Sequence, residues 1–295
     1  MRVGVNMPLL DQAGVALDVE GITRRARAIE SAGLDGIWLG DSFSPRMTRP
    51  DPLMWLLVGA AATQRLEIGT CIFIVPLRNP IELAQRLLTL QAMLPERFSF
   101  GVGSGSTESN YQVFGKSFEG RFRELHEGLQ TIRRLCRGEA VGLADLNPWP
   151  SVIGGPPIVI GAWHSGIWLK RAAEDYDGWM CSAGRTNLAT MREGIKRYRD
   201  LGGKRAMIST CMFDFSAEST GLADDEPFHL RCSPDEAAER LARVAELGFD
   251  DILLVKADHT RRHSIYEADF AEGDLEQIRA LLPADPRAPY SGDRS

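Results

Sequence analysis

Two short glycine-bearing segments hold the residue types best suited to chemistry. Gly161-Ala162-Trp163-His164-Ser165-Gly166 follows the apolar run Ile158–Ile160 and opens a helical stretch to Asp175. A strand-to-helix turn of this kind presents unpaired backbone N–H groups and the positive end of a helix. It therefore suits a phosphate, with Ser165 capping the helix or donating to the anion. Gly101-Val102-Gly103-Ser104-Gly105 ends another apolar run, and its small residues let a flat ligand approach the backbone. A strand end that needs unusual dihedrals is the plainer reading of the same glycines. The spacing is not a dinucleotide fingerprint, because Ser106 holds the sixth place where glycine is required and Thr107–Tyr111 reads as loop.

Titratable candidates are few. His259 follows Lys256 and Asp258 at the end of the last apolar run, where an α/β barrel carries catalytic groups, although a surface histidine reads the same way. His164 is either a ligand contact or a plain loop histidine. His126 falls on a helix, and His229 and His263 in loops. No H-x-x-x-H pair or acidic triplet has metal-ligand spacing, and no G-x-S-x-G elbow supports a serine hydrolase. The five cysteines are widely spaced with no C-x-x-C pair, which points to buried free thiols in a reduced, cytoplasmic protein without zinc.

The elements that must position these groups are legible as alternating patterns. Apolar runs occur at Val3–Met7, Gly36–Gly40, Ile68–Val75, Phe98–Val102, Ile158–Ile160, Trp179–Cys181, Met207–Phe213 and Ile252–Val255, separated by helical periods. Their hydrophobicity is continuous rather than alternating, as in parallel strands covered on both faces. Phe122, Leu125, Leu129, Ile132 and Cys136 form one helical stripe, and Ala237, Leu241, Val244 and Ala245 another. Asp51-Pro52, Asn79-Pro80-Ile81-Glu82 and Ser233-Pro234-Asp235-Glu236 read as helix starts, the last as a capping box.

A motif recurs. Glu30 to Leu39, with Gly33 and Asp35, resembles Glu246 to Leu254, with Gly248 and Asp250, and is echoed weakly at Glu174–Trp179. In each, a helix stops and an Asp turn feeds a strand, so the pattern predicts repeated βα units closing into an α/β (β/α)8 barrel. The barrel is expected to be a single domain over 1–283, with a mobile tail over 284–295. Long irregular segments at Ser42–Pro50, Glu139–Pro157 and Ser216–Cys232 are expected as rim loops, with Phe43, Met47 and Trp149 lending the first two an apolar contact surface.

Bulk properties exclude several classes. At 295 residues, with 44% hydrophobic and 25% charged residues, the chain can bury one large core. A net charge of −6 offers phosphate backbones no broad basic surface despite Arg24, Arg25 and Arg27 on one helix, so nucleic acid is not expected as a partner. No apolar run approaches the roughly 18 residues of a membrane span, and no export signal opens the sequence.

Taken in order, several motifs resemble the bacterial luciferase-like monooxygenase family. They are Ala32-Gly33-Leu34-Asp35 leading into Trp38-Leu39-Gly40-Asp41, then Gly69-Thr70-Cys71-Ile72 and Pro76-Leu77-Arg78-Asn79-Pro80. Arg97-Phe98 before the Gly101–Gly105 series and Asp177-Gly178-Trp179 complete the set, which covers more than half the chain. The resemblance implies a luciferase-like TIM barrel that holds FMN, or the deazaflavin coenzyme F-420, at the carboxyl ends of the strands. It also implies a non-proline cis peptide at Cys71–Ile72 behind the flavin ring. Asp41 then falls near the ring's polar edge, and Gly103, Ser104 and Asn110 lie beside the ring. Gly161, Ala162, Trp163, His164 and Ser165 hold the phosphate, with Ser182 and Arg185 adding tail contacts. Without the resemblance, Asp41 is an exposed loop acid, Cys71 a buried small hydrophobe, Asn110 a turn former and Arg185 a solvated surface cation.

The activity this resemblance implies is that of a two-component monooxygenase, in which reduced FMN from a separate flavin reductase and oxygen act on a small organic substrate. Asp41 and His259 are its catalytic candidates. Coenzyme F-420-dependent hydride transfer and a non-catalytic flavin-binding protein are the alternatives. Many relatives carry histidine after the acid at position 41, and here that residue is Ser42, which weakens histidine general-base chemistry at that strand end and a sugar-phosphate dehydrogenase reading in particular. A homodimer is the oligomeric state the resemblance favours.

Overall fold

The computed structural model describes residues 1–11, 13–43, 49–219, 221–256, 269–271 and 273–281. The expected tail lies outside them, as does the segment that carries His259. Ten strands occur in chain order: β1 (Arg2–Asn6), β2 (Gly36–Leu39), β3 (Glu67–Thr70), β4 (Phe73–Ile74), β5 (Phe98–Gly103), β6 (Ile158–Gly161), β7 (Gly178–Ser182), β8 (Ala206–Asp214), β9 (Leu230–Arg231) and β10 (Asp251–Lys256). Eight of them pair in parallel in the order β10-β1-β2-β3-β5-β6-β7-β8, and β10 also pairs with β8, which closes the ring. β4 and β9 are short additions on β5 and β8. The result is the expected α/β barrel.

Around it lie α1 (Val19–Ser31), α2 (Pro52–Ala61), α3 (Pro80–Met93), α4 (Glu108–Val113), α5 (Arg121–Cys136), α6 (Ile167–Glu174), α7 (Leu188–Asp200), α8 (Pro234–Glu246) and α9 (Asp274–Ala280). The caps explain the starts. Asp51 accepts from the Leu53 and Met54 amides, and Asn79 from Ile81 and Glu82, each just before a proline at the first helical position. Ser233 makes half of its expected box: it accepts from the Glu236 amide, while the Glu236 carboxylate turns to Arg240. The reciprocal box belongs to Asn187 and Thr190. On α8, Arg240 is buried and Ala245 exposed, and on α5 Phe122 is 43% exposed, so each apolar stripe is narrower than its spacing implies. No helix among the described residues is long and apolar enough to cross a membrane.

The recurring Asp motif has one physical explanation. Asp35 takes the Val3 amide on its carboxylate at 2.7 Å and donates its own amide to the Val3 carbonyl at 2.8 Å. Asp177 does the same to Ile158, at 2.8 and 3.0 Å, and Asp250 to Ala206, at 2.7 and 2.9 Å. Each acid thus starts its own strand and satisfies the orphan amide that opens the preceding one, which fixes the register of neighbours at the amino-terminal end of the barrel. Glycine at the preceding helix end, with φ of 80° at Gly33 and 100° at Gly248, turns the chain into two of these junctions.

Alternation along each strand divides the outward core from a separate interior. Outward residues pack beneath the helices, whereas Trp38, Cys71, Val159, Met180, Met207 and Leu253 fill the middle of the barrel. The Trp38 indole lies across that interior, and a Cβ on Gly69 would fall 2.1 Å from its ring, so this inward position accepts only glycine. Beneath it, Arg205 clamps two acids. Its guanidinium holds Asp251 at 2.7 and 2.8 Å and Glu67 at 2.7 and 2.9 Å, while Ser99 and Arg2 also reach Glu67, at 2.6 and 2.7 Å.

The expected strand Ile68–Val75 is two strands. β3 ends at Thr70, the Cys71–Ile72 peptide is cis, and β4 resumes against Val102 and Gly103 of β5. Thr107–Tyr111, expected as loop, leads into α4. Glu139–Pro157 connects the carboxyl end of α5 to the start of β6, so it lies at the amino-terminal face and Trp149 belongs to no rim loop. Ser216–Cys232, which follows β8, does lie at the carboxyl-terminal face.

Burial would raise the Glu67 carboxyl, but the charges of Arg205 and then Arg2 dominate and bring it from the usual 4.5 to about 2. A depressed carboxylate contributes stability that is complete above the unfolded value and is lost as pH falls from about 4.5 towards 2. Glu67→Gln is expected to cost about 3–5 kcal/mol at neutral pH and to flatten the acid limb of the stability curve in that window. Urea unfolding followed by circular dichroism from pH 2 to 7 checks both.

Candidate active site

The carboxyl-terminal mouth is built from what the strands place on their inner faces. Alternation from Trp38, Val159 and Met180 carries inward to Gly40, Gly161 and Ser182, and the outward residues of β1 and β5 leave Asn6 and Gly103 inside. Cys71 completes the ring. Its Sγ lies 3.3 Å from Asn6 Oδ1, and burial pushes its thiol up to about 12, so it stays protonated and is no nucleophile. Ile72, half-buried beyond the cis peptide, lays its side chain across two neighbouring strand ends. A Cβ on Gly161 would meet it at 2.6 Å and one on Gly103 at 3.1 Å. Glycine at both positions therefore makes room for Ile72 and leaves a floor of backbone and one aliphatic side chain at these strand ends.

Beside this floor the Ala162–Gly166 loop is fixed at its base and open at its crest. The Trp179 indole donates to the Ala162 carbonyl at 3.0 Å, and the Ala162 amide donates to Met180. His164 packs against α7 so closely that a Cβ on Gly194 would lie 2.8 Å from its own Cβ, and its Nε2 is 4.0 Å from Glu193. Gly166 holds φ 85° and ψ −173°, a backbone region reserved for glycine, and no side chain caps α6. Its first turn carries no acid. The leading amides of α6 have no intrahelical acceptor, Ser165 is half-buried next to them, and Trp163 is 55% exposed. A helix start of this kind, at the same strand ends, suits an anion. Ser182 and exposed Arg185 lie on the adjacent strand end, held by a bond from Thr186 Oγ1 to the Ser182 carbonyl at 2.8 Å.

Asp41 is placed differently. Its carboxylate, 3% exposed, accepts from the Ile74 amide at 3.1 Å and from Arg78 at 3.0 and 3.1 Å. Burial pushes its carboxyl above the ordinary range, against the opposing pull of the Arg78 charge and the Ile74 amide. Arg78 in turn is sandwiched between the rings of Phe43, at 4.6 Å, and Phe73, at 4.7 Å. Phe43 meets Phe114 edge-on at 4.6 Å, and its amide donates to Asn110 Oδ1 at 3.2 Å, which leaves the Asn110 NH2 group free of that bond. Tyr111 O–H donates to the Ser104 carbonyl. Asp41 thus locks the loop after β2 onto the loop after β4, and an aromatic rim from Phe43 and Phe114 rises above Ile74 and Tyr111.

Among the expected site residues, Asn110 meets the loop of Asp41 through the Phe43 amide, and Ser182 and Arg185 end the strand next to the one that leads into Gly161–Ser165. His259 lies outside the described residues. The clamp role of Arg78 and the Phe43–Phe114 contact were not expected. Arg78 was visible inside Pro76-Leu77-Arg78-Asn79-Pro80, but nothing in the spacing pairs it with an acid 37 residues earlier.

A family model described as luciferase-like monooxygenase matches residues 1–208. The chain is 31% identical over 189 residues to an F-420-dependent glucose-6-phosphate dehydrogenase of Kineococcus radiotolerans, covering 57% of this chain and 56% of that protein. It is 27% identical over 271 residues to the enzyme of the same name from Amycolatopsis mediterranei, covering 87% and 75%. Among solved structures, the monooxygenase RslO1 from Streptomyces bottropensis superposes with a TM-score of 0.71 at 18% identity, over 88% of this chain and 92% of that one, a likeness of fold.

Removing Arg78 leaves the Asp41 carboxyl buried without its counter-charge. Arg78→Ala is expected to lower stability by about 3 kcal/mol at pH 7. Because a raised carboxyl favours the folded state below its unfolded value and disfavours it above, the loss should grow as pH rises through the carboxylate range. Thermal melts of the variant from pH 4 to 8 test this.

Proposed function

Because the chain belongs to the luciferase-like monooxygenase family, we propose that this oxidoreductase binds coenzyme F-420 at the barrel mouth and transfers hydride between it and a small organic substrate. The observation that carries the proposal is the adjacency of a glycine floor to an uncapped helix N-terminus. The first accepts a flat ring system, and the second accepts a phosphate. The choice of F-420 over FMN rests on the dehydrogenases of Kineococcus and Amycolatopsis, which are named for that coenzyme. When bound, such a coenzyme supplies the hydride acceptor or donor.

The chain's own residues do the rest. The Cys71–Ile72 backbone, Gly103 and Gly161 would support the ring. Ser165 and the first amides of α6 would hold the phosphate, with Ser182 and Arg185 flanking it, and Asn110 would offer its NH2 group to the ring. Asp41 acts as a positioning residue through Arg78 and Ile74, since its carboxylate is committed to both. Ser42 has no imidazole and no pKa near neutrality, so proton handling falls to another group, for which His259 is our candidate. The aromatic rim of Phe43 and Phe114 limits access of water to the ring.

A second reading keeps the same site and takes reduced FMN with oxygen, the reduced flavin coming from a separate reductase. The fold shared with RslO1, a named monooxygenase, favours it.

Titration of the purified protein with each coenzyme separates the two readings. Tight F-420 binding with weak FMN binding supports hydride transfer, and the reverse supports oxygenation. In either case Ser165→Asp, which adds a negative charge at the anion cradle, is expected to weaken coenzyme binding by about tenfold or more while leaving the circular dichroism spectrum unchanged. An unaltered Kd would remove the phosphate from α6.

A further inference from the structure

A β-bulge gives the barrel mouth a hydroxyl that the fold itself does not use. Ile252 of β10 pairs with Ile208 and Leu254 with Cys211, so β8 advances three residues where β10 advances two. Ile208 and Cys211 both point into the outward core. The two residues between them, Ser209 and Thr210, therefore share the inner face. Ser209 pairs across with Ser182, which sets this point at the rim, and its hydroxyl donates to the Cys181 carbonyl at 3.2 Å. Thr210 is 7% exposed, and no hydrogen bond joins its hydroxyl to any described residue.

Thr210 also holds φ 56°, a left-handed conformation that β-branched residues rarely adopt. A glycine there would remove that cost, so a threonine at this place is best explained by what its side chain reaches. On the same inner face Asn6 Nδ2 is buried without a partner. The other inner-face positions at the rim are uncharged: Gly40, Cys71, Gly103, Gly161, Ser182 and Ser209 are small, and alternation past the bulge adds apolar Met212 and Val255. Of the nearby described charges, Asp41 pairs with Arg78 and Lys256 with Asp274, while exposed Arg185 flanks the α6 cradle.

We propose that Thr210 is a substrate-positioning residue that holds the reacting oxygen of a neutral alcohol or carbonyl compound, an inference that rests on the hydride-transfer reading above. A hydroxyl accepts from an alcohol O–H and donates to a carbonyl oxygen, so one side chain serves both partners of the redox couple. In oxidation the carbinol C–H bond breaks and its hydride goes to the oxidised deazaflavin. The O–H proton passes to the general base and the C–O bond becomes C=O.

The test uses the full chain with oxidised F-420 and 2-propanol or cyclohexanol as probes, following loss of coenzyme absorbance, with glucose 6-phosphate as the charged comparison. Thr210→Val and Thr210→Gly are expected to raise the alcohol KM about tenfold or more, with the F-420 Kd unchanged, and Thr210→Ser to stay within about twofold. The glycine variant suits the backbone, so its Tm should equal or exceed that of the wild type, which keeps the test valid if the valine variant fails to fold. An unchanged KM in Thr210→Gly with F-420 bound overturns the role of Thr210 alone. Turnover of glucose 6-phosphate without either alcohol overturns the substrate class. Failure of F-420 to bind the wild type overturns the hydride-transfer reading, and this inference with it.

Discussion

Arg205 holds the barrel closed from inside. Its guanidinium binds acids from β3 and β10 at once, and Arg2 of β1 and Ser99 of β5 join the same cluster, so the strands meet at one buried point near their amino-terminal ends. Four charged groups in a barrel interior are tolerable only because each has a partner. Above them the Trp38 indole fills the space left by Gly69. With the lower half closed by charge and the middle by an aromatic ring, closure asks nothing of the upper rim.

That freedom is what the upper rim uses. Most of its inner positions are occupied by small or polar residues, with Ile72 and the loops after β2 and β5 beside them. The paired Asp41 and Arg78 hold the loops that make the wall, whereas the cradle at α6 has donors and no acceptor of its own. The two halves of the proposed coenzyme site, a floor and an anion socket, are thus made by different devices: glycine across from a bulky neighbour in one, and a bare helix terminus in the other.

Much of this was legible in the sequence. The apolar runs located the eight barrel strands, and the Asp repeat announced the junctions because the same carboxylate-to-amide bond recurs at Asp35, Asp177 and Asp250. Proline after Asp51 and Asn79 fixed two helix starts. The motifs around Gly161 and Cys71 located the mouth. What escaped was long-range. Arg205 reads as a charged flank of a strand, since its partners Glu67 and Asp251 lie 138 and 46 residues away. The side of the barrel on which Glu139–Pro157 emerges depends on connectivity, not on composition. The bulge shows in the run of β8 only as the adjacent polar pair Ser209-Thr210, which does not by itself say that two successive side chains face inward.

The central claim is that the floor at Ile72, Gly103 and Gly161 and the α6 terminus bind one molecule together. A crystal structure of the protein grown with F-420 tests it most directly. The account predicts the deazaflavin ring against the Cys71–Ile72 backbone and the phosphate within hydrogen-bond distance of Ser165 and the first amides of α6. A coenzyme bound with its phosphate elsewhere, or its ring away from that backbone, would contradict it.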